Sequence, residues 1–132
     1  MFRLALIQMR VEAGAKETNL RHAEALVGQA AREGARVVLL PEALPLGWTH
    51  PSARTDADAI PEGEACARLR EAARSHGVYL CAGLVERADE RLFNAAVLID
   101  PRGEVLLRCR KMNELEIAHD LYAPGDQLQV AR

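Results

Sequence analysis

Val37-Val38-Leu39-Leu40-Pro41-Glu42 is the stretch on which the fold turns. Four apolar residues, β-branched at their start, read as a buried strand. Pro41 ends it, because proline has no amide to give to a ladder. Glu42 follows directly. Upstream, Leu20, Ala23, Leu26, Val27, Ala30 and Ala31 recur at three- and four-residue spacing and build one apolar helical stripe. Thr18 or Asn19 is placed to cap that helix, and Gly34 suits the left-handed position past its end. Before the helix, Arg3 to Met9 is short and mostly apolar, a further buried strand.

Downstream, residues 43–61 hold Pro45, Gly47, Pro51, Pro61 and the only tryptophan, Trp48. They read as a long loop, and loops of that length are often functional. Ala65, Leu69, Ala72, Ala73 and His76 then mark a second helix that Gly77 closes. Glu64 and Arg68 form a favourable i,i+4 pair on it. Val78 to Val85, Phe93 to Ile99 and Val105 to Cys109 read as strands, the last two joined by the turn Asp100-Pro101-Arg102-Gly103. Leu128 to Ala131 reads as the start of another. The order predicts an α/β fold: three parallel strands with right-handed crossovers, an antiparallel hairpin at the edge, and two covering helices.

The chain has 132 residues, 49% of them hydrophobic and 27% charged. That suits one globular domain, within the window of roughly 100–200 residues per domain. A net charge of −2 with interspersed signs gives no nucleic-acid footprint. No apolar run approaches the ~18 residues of a membrane span. The N-terminus opens into strand-like sequence without a basic stretch and cleavable apolar segment, so the expected location is cytoplasmic. Cys66, Cys81 and Cys109 are widely spaced and odd in number, which argues against a zinc site or a disulfide framework. Neither a metal nor a cofactor is expected.

Two residues stand out by position. Glu42 sits at the carboxyl end of a buried strand, where open α/β sheets bind ligands. It is either a general base or a solvated loop carboxylate. Lys111 ends the last clear strand, and the chain's only other lysine is Lys16 among seventeen basic residues. In a chain so biased to arginine, a compact ammonium suggests a site where a planar guanidinium does not fit; the alternative is chance. The following segment carries Glu114, Glu116, His119 and Asp120, by default a solvated loop. Cys81 reads as core packing. Cys109 shares a strand face with Lys111 and is either a small buried hydrophobe or part of the same pocket.

In order, these residues resemble the nitrilase superfamily of carbon–nitrogen hydrolases. Leu4-Ala5-Leu6-Ile7-Gln8 with Asn19-Leu20 resembles the family's opening. Val38-Leu39-Leu40-Pro41-Glu42 resembles the motif of its catalytic glutamate. Phe93-Asn94-Ala95-Ala96-Val97 with Gly103 is similar to its central hairpin. Arg110-Lys111 with Pro124-Gly125-Asp126 is similar to the motif of its catalytic lysine. The resemblance covers the whole chain.

It implies an α-β-β-α sandwich of which residues 1–132 hold about half, the N-terminal part of one hydrolase domain. It also implies a Glu–Lys–Cys triad that opens amides, N-carbamoyl amines or nitriles, with amide or N-carbamoyl substrates favoured. Glu42 would be the base and acid, and Lys111 would stabilise charge on the substrate. Asp120, with Glu116 as the alternative, would be a second acid. The family's nucleophile lies past the Pro-Gly-Asp turn, and none of the three cysteines occupies that place. The expectation is therefore a chain that lacks amidase activity alone and occurs in a homo-oligomer. The rival expectations are a non-catalytic half-domain that pairs with a second copy or partner, and Cys109 as a relocated nucleophile.

Overall fold

The computed structural model describes residues 1–131. Its five strands form one sheet in chain order. They are β1 (Arg3–Leu6), β2 (Ala35–Leu39), β3 (Tyr79–Ala88), β4 (Arg91–Ile99) and β5 (Val105–Arg110). The first three are parallel, and β4 and β5 are antiparallel to their neighbours. Helix α1 (Lys16–Arg32) joins β1 to β2. The one-turn α2 (Ala53–Asp56) and then α3 (Glu64–His76) join β2 to β3.

Because the parallel strands advance in one direction, right-handed crossovers put α1 and α3 on the same face. There Leu20, Ala23 and Val27 of α1 and Leu69 and Ala73 of α3 meet Val38, Leu80, Val97 and Ile99 of the sheet. This is the expected mixed sheet with two covering helices. Side chains alternate along a strand, so every second residue points to the other face, which neither α1 nor α3 covers. One register row across that face runs Leu6, Leu39, Cys81, Leu98, Leu107. Its edge is open: Leu4 and Leu6 are 51% and 71% exposed. At the opposite end the loop after β2 and the segment around 118–122 cover the face, where Leu46, Ala53, Ala118 and Tyr122 pack on Val85 and Leu92.

Several local expectations change. Helix α1 begins at Lys16 with no side-chain cap, so Thr18 and Asn19 lie inside it. Asn19 is buried and instead ties the chain together, donating to the carbonyls of Glu12 (2.7 Å) and Pro45 (3.0 Å). Strand β1 stops at Leu6 rather than Met9, although the Ile7 amide still donates to the Leu39 carbonyl at 2.9 Å. Leu128–Ala131 forms no strand. His76 is exposed rather than part of the buried stripe. Cys81 lies half-buried in the helix-free row, not in the helix-covered core.

The β3–β4 hairpin runs further than the apolar pattern suggests, with Ala88 opposite Arg91. The reason is electrostatic. Glu86 is 1% exposed, and its carboxylate accepts from Arg110 at 2.8 and 2.9 Å and from Arg108 at 3.1 Å. Arg110 also lies over the Phe93 ring at 3.8 Å. An isolated buried carboxylate would cost several kcal/mol, so charged strand residues persist here only because they are paired. The two arginines sit on β5 on either side of Cys109, and this pairing steadies the strand that leads into Lys111. Among the described residues no helix is long and apolar enough to cross a membrane.

Candidate active site

Glu42 is three residues past the end of β2, and Lys111 is one past the end of β5. Strands β3 and β4 lie between them, a backbone separation of about 14 Å from the usual strand spacing. Their long side chains nevertheless converge on the helix-free face, with Lys111 Nζ 2.9 Å from Glu42 Oε1. Small or short residues beneath permit this. Gly83 on β3 has no side chain, and a Cβ there would lie 2.5 Å from Glu42 Cα and 2.8 Å from the Pro41 carbonyl. The stretch Pro41–Leu44 can therefore run against β3, with Gly83 N–H donating to Pro41 (3.1 Å) and Leu44 N–H donating to Gly83 (3.0 Å). Pro41 ends the strand but not the pairing.

Lys111 is fixed from both sides. Its amide donates to the Asn94 carbonyl and its carbonyl accepts from the Gly125 amide, each at 2.8 Å. Gly125 is required at that contact, since a Cβ would sit 2.3 Å from the Arg110 carbonyl. The Pro-Gly turn thus acts as a buttress for the lysine's backbone.

Around the ammonium stand two further groups. Glu114 Oε2 is 3.4 Å from Nζ, on a side chain only 2% exposed. The Trp48 ring lies 5.7 Å away, close enough for cation–π attraction. Neither Glu114 oxygen nor Trp48 Nε1 has a hydrogen-bond partner among the described residues. Asn94 Nδ2 donates to Glu42 Oε1 at 2.6 Å. A cleft of about 320 Å³ opens beside the pair, lined by Leu40, Cys81, Ala96 and Cys109 as well as Glu42 and Lys111.

The hydrogen bond from Lys111 holds the Glu42 carboxyl below the usual carboxylate range; burial opposes this and the Asn94 amide assists it. The same hydrogen bond to Glu42 raises the Lys111 ammonium, against some desolvation and with Glu114 adding attraction. Both groups are therefore charged at neutral pH. A depressed carboxyl contributes stability above its unfolded pKa and loses it as pH falls through the folded one. A raised ammonium contributes below its unfolded pKa and loses it as pH rises through the folded one. The pair accordingly spans the whole neutral range.

Of the residues singled out in the sequence, the structure brings Glu42 and Lys111 together. Asp120 and Glu116 are exposed, and neither side chain forms an ion pair with Lys111 among the described residues. The carboxylate that does approach is Glu114, which the sequence reading passed over within an acid-rich run. Its signal was spacing: Glu114 is three residues from Lys111, within reach once the chain turns after β5. Cys66 is buried on the inner side of α3, in its first turn, and burial pushes its thiol up to about 11. Burial also raises the Cys81 thiol.

The carboxylate–ammonium pair thus lies at the strand ends of an open mixed α/β sheet, the place where such sheets bind ligands. The chain belongs to the carbon-nitrogen hydrolase family, which it matches over residues 3–132. It is 34% identical over 129 residues to the nitrilase of Pyrococcus abyssi, covering 96% of this chain and 49% of that protein. It is 38% identical over 119 residues to the omega-amidase NIT2 of Mus musculus, covering 88% and 42% respectively. A cysteine-to-alanine mutant of the amidase from Nesterenkonia sp. AN1, solved in complex with butyramide, superposes with a TM-score of 0.85 at 27% identity. That superposition covers 96% of this chain and 49% of the amidase. The chain thus spans about half the length of the relatives it matches.

Proposed function

We propose that residues 1–132 supply the acid–base half of a site that hydrolyses small amides or N-carbamoyl amines. The observation that carries this is the 2.9 Å contact of Lys111 Nζ with Glu42 Oε1 at the mouth of an apolar cleft. In the reaction, a thiol gives its proton to the Glu42 carboxylate and attacks the carbonyl carbon. Lys111 donates to the oxygen on which negative charge develops. Glu42 returns the proton to the departing nitrogen and ammonia leaves. Water then gives a proton to Glu42 and attacks the thioester, the C–S bond breaks to release the acid, and Glu42 returns that proton to the thiolate. Glu114, buried beside the ammonium, is the second carboxylate and keeps Lys111 oriented.

The nucleophilic cysteine, in this proposal, lies outside residues 1–132. The half-length coverage of the relatives supports this, as does the burial of Cys66. The open row from Leu6 to Leu107 receives the second apolar layer of the same domain. Cys109 offers a second reading, because it lines the cleft with Glu42 and Lys111.

Ammonia release from short aliphatic amides, an N-carbamoyl amine and the matching nitriles tests this. The full-length protein is expected to turn over amides or carbamoyl compounds with the highest kcat/KM, and Cys109→Ser to retain that activity. Residues 1–132 alone are expected to release none. Nitriles as the best substrates would overturn the substrate class, and loss of turnover in Cys109→Ser would move the nucleophile to β5.

A further inference from the structure

We infer that Asn94 is a positioning residue that fixes which oxygen of Glu42 handles the proton. This rests on Glu42 acting as the base. Asn94 is 4% exposed in the middle of β4, on the helix-free face. Its side-chain amide donates to Glu42 Oε1 at 2.6 Å, and its backbone carbonyl accepts from the Lys111 amide at 2.8 Å. One residue therefore holds both members of the pair, from two different atoms. The amide nitrogen faces Glu42 because Oε1, already accepting from Lys111, has only lone pairs to offer.

Both hydrogen bonds to the carboxylate land on Oε1. Oε2 accepts none among the described residues. An asymmetric clamp of this kind leaves Oε2 with its lone pairs free while Oε1 is anchored. Lys111 cannot supply the clamp alone. Its ammonium is on a flexible four-carbon stem and must shift toward the substrate oxygen as charge develops there. When it does so, the Asn94 amide is the contact that remains on Oε1. Gly83, on the same face of β3, lets the backbone at Glu42 lie close against the sheet, where a Cβ would meet Glu42 Cα at 2.5 Å.

The test is Asn94→Ala, read by carbon-13 NMR titration of the Glu42 carboxyl together with the pH profile of kcat/KM in the full-length protein. The expected result is a Glu42 midpoint that moves upward, because a donor to the charged form has been removed. The acid limb of kcat/KM should move with it, and kcat should fall about tenfold or more with KM little changed, as for loss of a hydrogen bond to a charged group. Asn94→Ser, which keeps a polar group too short to reach, should do the same and stands in if the alanine variant does not fold. An unchanged Glu42 midpoint in a folded variant overturns the inference, as does a fall in melting temperature with an unmoved acid limb. A wild-type protein that releases no ammonia overturns the catalytic reading instead, and the Glu42 titration still decides the role of Asn94.

Discussion

On the proposed function, Glu42→Gln is expected to lower kcat on amides by about 10²–10⁴-fold in a protein that carries the whole site, the usual worth of a general base. The substitution keeps shape and removes only the ability to take and return a proton. The wild-type carboxyl is charged at neutral pH, held low chiefly by Lys111. A glutamine still presents a carbonyl oxygen to Lys111 and Asn94, so the local geometry survives. The side chain is 52% exposed, and exposed pairs contribute about 0–1 kcal/mol to folding. Stability should therefore change little. Thermal unfolding beside steady-state ammonia release separates the two effects. A fall in activity that merely tracks a fall in melting temperature would count against a catalytic role.

Lys111→Met should cost about 10²–10³-fold in kcat/KM, comparable to removing one oxyanion donor. Methionine retains much of the stem's apolar bulk beneath Trp48 but removes the cation from between Glu42 and Glu114. Two consequences follow from one loss. Charge on the substrate oxygen is no longer stabilised, and the Glu42 carboxyl moves up toward its usual range because its principal partner is gone. The acid limb of the pH profile should shift to higher pH along with the fall in rate. Lys111→Arg should fail to restore full rate, since a planar fork cannot take the position of a compact ammonium. Full recovery with arginine would show that any positive charge suffices.

Much of this was visible in the residues themselves. The apolar run before Pro41, the two helical stripes and the Asp100–Gly103 turn specify the mixed sheet through local periodicity. Glu42 and Lys111 could be singled out because each stands at a strand end. Their convergence could not, because it depends on what lies between them. Gly83 looks unremarkable in sequence; only the close passage of Pro41–Ala43 over its Cα shows why no side chain fits there. Glu86 looks like the end of a strand until Arg108 and Arg110 arrive from β5 to neutralise it. Asp120 and Glu116 were favoured by family spacing, yet the turn after β5 folds Glu114 back toward the ammonium. For Gly83 and Glu86 the missing information is non-local; for Glu114 it is the direction in which the chain turns after β5.

The central claim is that Glu42 and Lys111 act as one device in carbon–nitrogen bond cleavage. A double-mutant cycle on kcat/KM for ammonia release tests it most directly, using Glu42→Gln, Lys111→Met and the double variant in the full-length protein. Residues that act as a unit are grossly non-additive. The double variant should therefore lose little more than the worse single variant. Losses that multiply, or single variants that keep wild-type turnover, would contradict the account.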